Sequence, residues 1–568
     1  MSARAAARGL VAGAAILAAT AALALPGSGA AARASTAGPQ AAAGRLTPSS
    51  RAASRPAGPA STAALAASRP AGAVSGTAGS TLPGTAGSGL TAAQRAVLTG
   101  IARDTWKFYA ADVDPRTHLP LDNLGPGSTR GTYTSAANIG VYLWAVVAAR
   151  DLHLISDQRA RALLSATLTS VAQLSSSHGF LYQWYDTSTG QTIRNPGDIS
   201  CASETAPVQD NCFFLSAVDN GWYASGLVVV RQAVPQLAPL ASRLLTAMDF
   251  GIFYDGRAQT DCNTNPAIPG NQPTGQMYGG YYVDQGPAGY HNGALYSDPR
   301  IAMYLGMGLH QMPGDVWWRS WRTLPPQQCS TDPDFSWEGQ WPVAGYWRTY
   351  TDPQSGRAFR VWEGHYTYPG TSLTYVPTWA GGMFEALMAN EVVPETTWGP
   401  RSFGLNDLRN AQVQIRYARQ VLHEPVWGMS PSSTADDSGG YSGYGAEGLQ
   451  FPAGQQLSQS VTPGTTEDVV TPHASFLALS VLPQQAYANI AALRRLYPGV
   501  YSGDGGFYDA VNPATGAIGH RRLVLDQSMI MAAIDNAVNH GALQRDFARD
   551  PASWAARTYL GAETLSIH

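Results

Sequence analysis

Beyond Leu90, apolar residues recur at helical spacing through most of the chain. From Thr91 to Asp112, Val97, Ile101, Thr105, Phe108 and Tyr109 share one face, the stripe that a helix presents to a core. The same spacing links Ile139, Leu143, Val146, Val147 and Leu154 between Thr134 and Leu154. A third helix is predicted over Asp157–Leu174, with Asp157 close to its N-cap. Helical patterns return over Gly221–Val234, Leu237–Phe250, Pro299–Gln311, Gly381–Asn390, Asn406–Leu422, Pro472–Ser480, Gln484–Leu496 and Asp526–Gly541. Sustained alternation of the strand type is scarce. The connections are long and rich in Gly and aromatic residues, whereas a plain helical bundle would use short ones. Helices in consecutive pairs, so joined, predict an all-α (α/α)6 toroid as one domain over residues 91–568.

A weak echo accompanies the pairing. Gly179-Phe180-Leu181-Tyr182 leads to the turn Asp186–Gly190, and Gly506-Phe507-Tyr508-Asp509 leads to Asn512–Gly516. Each is followed by an acid opening an apolar helix, Asp219 and then Asp526. Inner helices that start around one rim of a ring would bring such acids together.

The start of the chain breaks this pattern. Residues 1–34 read as a secretory signal: Arg4 and Arg8, the small apolar run Gly9–Leu25, and a cleavage site at Ala32-Arg33-Ala34. An uncleaved anchor is the rival reading, but the run is rich in Ala and Gly and barely long enough to span a bilayer. Residues 35–90 hold no aromatic residue, and the first acid of the chain is Asp104. Such a segment cannot bury enough apolar surface to order itself, so it is expected to be a disordered spacer. The expectation is a secreted protein, cell-wall associated or free, with no membrane contact once the signal is cleaved, acting as a monomer. A net charge of −3 gives no footprint for nucleic acid. Four cysteines, Cys201, Cys212, Cys262 and Cys329, suggest disulfides in an exported chain. Of three pairings, Cys201–Cys212 with Cys262–Cys329 would staple one irregular segment each.

The abundant Trp and Tyr fall largely in loops, where rings can stack on sugar faces; Trp184, Trp222 and Trp379 are candidate platforms. Glycoside hydrolysis needs two carboxyl groups, and four stand out. Asp219 lies in Val218-Asp219-Asn220-Gly221-Trp222, Asp298 in Ser297-Asp298-Pro299-Arg300, and Asp526 in Leu525-Asp526-Gln527. Glu385 lies among Phe384, Ala386, Leu387 and Met388. Helix capping is the plain alternative for the three aspartates. A buried Glu is costly unless neutral or partnered, so Glu385 reads either as a general acid or base or as a salt-bridge partner of Arg300. His291 and His473 are candidate sugar binders. No nucleophile elbow and no zinc-helix motif occurs. Gly443–Gly448 fits G-x-G-x-x-G without a preceding strand, and Asp436-Asp437 and Asp332/Asp334 lack the ligand number of a cation loop. No cofactor is implied.

At these residues the chain resembles the glycoamylase-like family, which holds bacterial β-1,2-glucanases and the C-terminal catalytic part of cyclic β-1,2-glucan synthases. The matching stretches run in order from Thr134–Leu143 and Gly179–Asp186 through Val218–Trp222, Tyr296–Ile301, Trp379–Met388 and Trp427–Ser430 to Val470–Ala474 and Asp526–Met529. The resemblance implies an (α/α)6 fold and hydrolysis or transfer of glucosidic bonds. It implies Asp298 as proton donor and Glu385 as second carboxylate; the residues themselves add Asp219 and Asp526 as assistants and Trp184, Trp222, His291, Arg300, Trp379 and His473 as binders of an oligo- or polysaccharide. Family members usually carry Glu where this chain has Asp298, one methylene shorter. Two rivals are a polysaccharide lyase using Tyr290 and His291, and a non-catalytic cell-wall glycan-binding protein.

Overall fold

The computed structural model describes residues 89–126, 129–196, 201, 211–256, 275–323, 344–449 and 468–568. The leader, nearly all of the spacer, Cys262 and Cys329 lie outside the described residues. These residues form 15 α-helices: α1 (Ala92–Asp112), α2 (Ala136–Asp151), α3 (Asp157–Val171), α4 (Ala217–Ala233), α5 (Ala238–Thr246), α6 (Arg300–Gly308), α7 (Asp315–Arg319), α8 (Met383–Leu387), α9 (Glu395–Trp398), α10 (Phe403–Arg416), α11 (Pro472–Leu477), α12 (Pro483–Leu496), α13 (Val524–Val538), α14 (Ala542–Arg549) and α15 (Trp554–Ala562).

Six of these, α2, α4, α6, α8, α11 and α13, are buried along nearly their whole length. Their sequences are apolar on every side, as an enclosed helix must be. They touch in cyclic order: α2 on α4, α4 on α6, α8 on α11, α11 on α13, and α13 back on α2. Arg300 makes the remaining joint. From the first turn of α6 it donates to the carbonyls of Glu385 (3.1 Å) and Ala386 (2.6 Å) in α8. Helices buried on one side lie outside: α1 on α13, α3 on α2, α5 on α4, α15 on α6, α10 on α8 and α12 on α11. Glycine sets the closest inner crossing. A Cβ on Gly140 would fall 2.4 Å from the Trp222 carbonyl oxygen, and one on Gly226 2.6 Å from that of Gly140, so α2 and α4 meet backbone to backbone.

Every helix read from periodicity is found, with shifted ends. The pattern Gly381–Asn390 becomes α8 followed by a 3-10 turn, Met388–Glu391. Four helices were not foreseen: α7, α9, α14 and α15. Strand structure was also under-read. Ala344–Thr351 and Ala358–Thr367 form a long antiparallel hairpin, from Ala344 opposite His365 to Thr351 opposite Ala358. Its aromatic residues fall on both faces, which hides the two-residue period. The echoed turns share one geometry. Gly190 donates to the Asp186 carbonyl and Gly516 to that of Asn512, both at 2.8 Å, and Gly356 to Asp352 forms a third copy at 2.9 Å. Cys201–Cys212 is bonded. No helix among the described residues is long and apolar enough to cross a membrane.

Candidate active site

The N-terminal ends of the buried helices carry the polar groups. Asn138 stands in the first turn of α2, Asp219 in that of α4, Asp298 just before α6, Glu385 in α8, His473 in α11 and Asp526 in the first turn of α13. Capping does not explain the three aspartates. Ser216 caps α4, accepting from the Asp219 N–H, while Pro299 and Leu523 precede α6 and α13 with no side-chain cap. Asp157 likewise follows the true cap, Ser156.

Asp298 and Glu385 meet directly. They share a hydrogen bond, and the Ser297 hydroxyl lies 3.4 Å from Asp298 Oδ1 and 3.3 Å from Glu385 Oε2. Two carboxyl groups in contact cannot both ionise, so the pair holds a proton. Burial, and then the Asp298 charge, hold Glu385 well above the usual carboxylate range. Burial raises Asp298 as well, opposed first by the Glu385 hydrogen bond and also by one from Trp222. Glu385 is 1% exposed, whereas Asp298 is only half-buried and is the more accessible of the two. Beside them, Asp219 accepts from Gln183 Nε2 at 3.0 Å. Burial, with the Asp298 charge adding, pushes Asp219 up to about 6.

A second acidic pair was not foreseen. Asp526 shares a hydrogen bond with Asp509, and both are buried. Burial pushes Asp526 up to about 7, with the Asp122 charge adding; Asp509 is driven well above its usual range by burial and by Asp526. His473 Nδ1 lies 3.2 Å from Asp526 Oδ2 and 2.6 Å from the Thr471 hydroxyl. Burial lowers this imidazole to about 4, so it is neutral. The charges of Asp526, Asp509, Glu385 and Asp122 all act on the Tyr441 phenol, which burial and those charges keep protonated. Asp122 in turn accepts from Asn138 Nδ2 at 3.0 Å. Asp509 and Tyr441 follow turn and loop sequences with no periodic signal; only the echo ending at Asp509 pointed near them. His473, Asp509 and Asp526 bring one ligand atom each within 4.8 Å of one another and are the described group that could hold a metal ion.

Other candidates have different roles. Arg300 is fully buried and does not pair with the Glu385 carboxylate. It forms a two-bond ion pair with Glu395 (2.8 and 2.9 Å), and its remaining N–H groups go to main-chain carbonyls; it has none for substrate. Trp222 is 2% exposed, edge-on to Trp144 at 5.6 Å, and meets the site through its N–H rather than as a stacking platform. Trp184 packs edge-on against Tyr133 in a small buried cluster. His291 is bonded to Asp255 at 2.9 Å and stacked on Tyr278, which leaves it buried as a structural residue rather than a sugar binder. Trp379 is half-buried. Asp437 is bound by His520 and Asp436 by Ser438 and Thr434, while Asp332 and Asp334 lie outside the described residues.

The fold and these acids define a mostly helical protein with paired carboxyl groups at or beside the N-terminal ends of its buried helices. Comparisons with known proteins show what the chain is similar to. Residues 350–551 match the Glycoamylase family model ("Putative glucoamylase"), and residues 100–257 match a model for proteins of unknown function, DUF3131. The cyclic β-(1,2)-glucan synthase NdvB of Rhizobium meliloti is 24% identical over 557 residues, covering 81% of this chain and 18% of that protein. The chain thus spans less than a fifth of that relative's length. A structure of a putative glucoamylase from Bacteroides caccae superposes with a TM-score of 0.57 at 17% identity, covering 83% of this chain and 100% of the other. The endo-β-1,2-glucanase from Chitinophaga pinensis, in complex with sophorotriose and glucose, gives 0.56 at 14% identity, covering 82% and 98%. Over residues 350–551 the chain is thus similar to the glycoamylase-like family, and its fold is that of these solved structures.

Proposed function

We propose that this chain is an exported glycoside hydrolase that cuts glucan, β-1,2-glucan foremost, on an (α/α)6 toroid. The observation that carries the reading is the pair of proton-sharing carboxyl couples, Asp298–Glu385 and Asp509–Asp526, both of which act on the Tyr441 phenol. Asp298 faces the substrate and passes the proton of the first couple to the glycosidic oxygen as the C–O bond breaks. Glu385 carries that one proton at rest and hands it to Asp298 across their hydrogen bond before the transfer, which leaves both carboxyl groups ionised until water returns a proton. The Asp526 carboxylate takes a proton from water as the water oxygen bonds to the anomeric carbon. One proton leaves the first couple and one arrives at Asp526, so bulk water resets the site. Glu385 thereby moves from the base or nucleophile expected from sequence to the donor side, because it is protonated and in contact with Asp298. The β-1,2-linkage rests on the related glucanases, and export on the leader sequence and on Cys201–Cys212, a bond that persists in oxidising compartments.

The test is incubation of the full chain with β-1,2-, β-1,3-, β-1,4- and α-1,4-glucans, with chromatography of the products. Shortened β-1,2-glucan is expected, and Asp298→Asn should lower kcat by about 10²–10⁴-fold, the usual contribution of a general acid. Intact glucans throughout, or a fully active Asp298→Asn, would overturn the reading.

A further inference from the structure

Asp509 is held from two directions. Its N–H donates to the Arg521 carbonyl at 2.9 Å, and its Oδ2 accepts from the Ser433 N–H at 2.7 Å. Asp526, its hydrogen-bonded partner, is equally buried. Among the described residues no arginine or lysine donates to either; the charged or titratable groups around them are Asp122, Tyr441 and His473. One proton must therefore serve two acids. The two are not equivalent, because Asp526 stands in the first turn of α13, where the N-terminal N–H groups of a 15-residue helix favour a negative charge. Asp509 has only the Ser433 N–H. Asp526 Oδ2 meanwhile lacks an N–H or O–H donor among the described residues and faces His473 Nδ1.

We propose that Asp509 is a positioning residue: it holds the couple's proton, donates it to Asp526 in a hydrogen bond, and so presents Asp526 to substrate as the carboxylate. The proposal rests on reading Asp526 as the base and says how that base is kept ionised. Asp509 is then needed as a neutral donor, not as a charge. The direction of its own titration, well above the carboxylate range, agrees with that. The alternative use of the same atoms is a cation held by His473, Asp509 and Asp526. Against it, Thr471 already occupies His473 Nδ1 and Ser433 one oxygen of Asp509.

Asp509→Asn, Asp509→Ala and Asp526→Asn, made in the full chain, separate these ideas. Asparagine keeps the neutral donor, so Asp509→Asn should retain kcat within about threefold, with the acidic limb of the pH profile unmoved. Alanine removes the hydrogen bond that lowers Asp526; kcat should fall about tenfold or more with KM little changed, and the acidic limb should move to higher pH. An Asp509→Asn variant as inactive as Asp526→Asn would overturn the proposal, as would an Asp509→Ala variant with an unshifted limb. So would activity abolished by EDTA and restored by Mn²⁺ or Zn²⁺. Infrared difference titration reads the couple without any substrate: against the background of the other protonated acids, one contribution to the protonated-carboxyl band, present in the wild type above neutral pH, should be lost in Asp509→Asn and kept in Asp526→Asn. If no glucan is cleaved but the band behaves so, the hydrolase reading fails while the proton assignment stands; the reverse pattern sinks the assignment alone.

Discussion

Two residues apart, at the start of α6, the protein buries charge in opposite ways. Asp298 meets another acid, Glu385, and together they keep a proton. Arg300 points to Glu395 and keeps both charges, in a cluster completed by the Tyr304 hydroxyl on Glu395 (2.7 Å) and the Tyr296 hydroxyl on Asp407 (2.5 Å). Arg322 with Glu563 repeats the second arrangement. An acid matched by a guanidinium is ionised, fixed and available only as a clamp. An acid matched by an acid is costly to bury but can deliver a proton. In the proposed reading the chemistry lies in the acid pairs, while the guanidinium pairs hold the helices in place.

The sharpest way to break that comparison is Arg300→Met. Removing one partner of a buried ion pair leaves the other charge unpaired, at a cost of about 3–5 kcal/mol. Three carbonyls, those of Ser297, Glu385 and Ala386, would also lose their donor. A large drop in the urea midpoint is expected, with activity lost only as far as the folded fraction falls. A stable Arg300→Met protein unable to bind glucan would instead make Arg300 a substrate group, as its place in the sequence suggested.

The same contrast explains what the sequence could and could not convey. The inner helices were legible because an enclosed helix is apolar all round, and α2, α4 and α13 read so. Asp219, Asp298, Glu385 and Asp526 were legible because acids beside such segments need a reason. Pairing was not: Arg300 is closer in sequence to Asp298 than Glu385 is, yet its partner is Glu395, which no pattern couples to it. Asp509 lies in a turn and Tyr441 in a two-residue strand beside loops, where polar residues are ordinary and only the fold shows Asp509 to be buried. Trp184 and Trp222 were mistaken for platforms because an aromatic near a loop looks the same whether its face is open or packed.

A smaller effect separates the two kinds of acid by pH. Asp526 is raised from 3.8 to about 7 in the fold. Below about pH 4 it is neutral in both states; as pH rises the unfolded chain ionises first, so stability is lost between about pH 4 and 7 and stays lost above. Asp526→Asn cannot ionise. It should be inactive yet more stable than the wild type at pH 8, by about 1–4 kcal/mol, at 1.36 kcal/mol for each pKa unit, and the difference should vanish near pH 4 in thermal melts. A variant less stable at every pH would place Asp526 among the structural acids.

The finest test concerns Trp222, which borders both regions: its ring packs on Trp144 while its N–H reaches Asp298. Trp222→Phe keeps a ring in the slot and removes only that donor and some volume. A hydrogen bond to a charged group contributes about 1.5–3 kcal/mol, and Asp298 keeps its bond to Glu385, so kcat should fall by no more than about tenfold. The direction is more telling than the size. The Trp222 N–H stabilises the Asp298 carboxylate; without it the couple holds its proton more tightly, and the basic limb of the pH profile should move up. A ring that stacked on sugar would act otherwise: Phe in its place would raise KM and leave the limb unmoved. The limb thus reports whether an aromatic beside these acids serves the substrate or the proton.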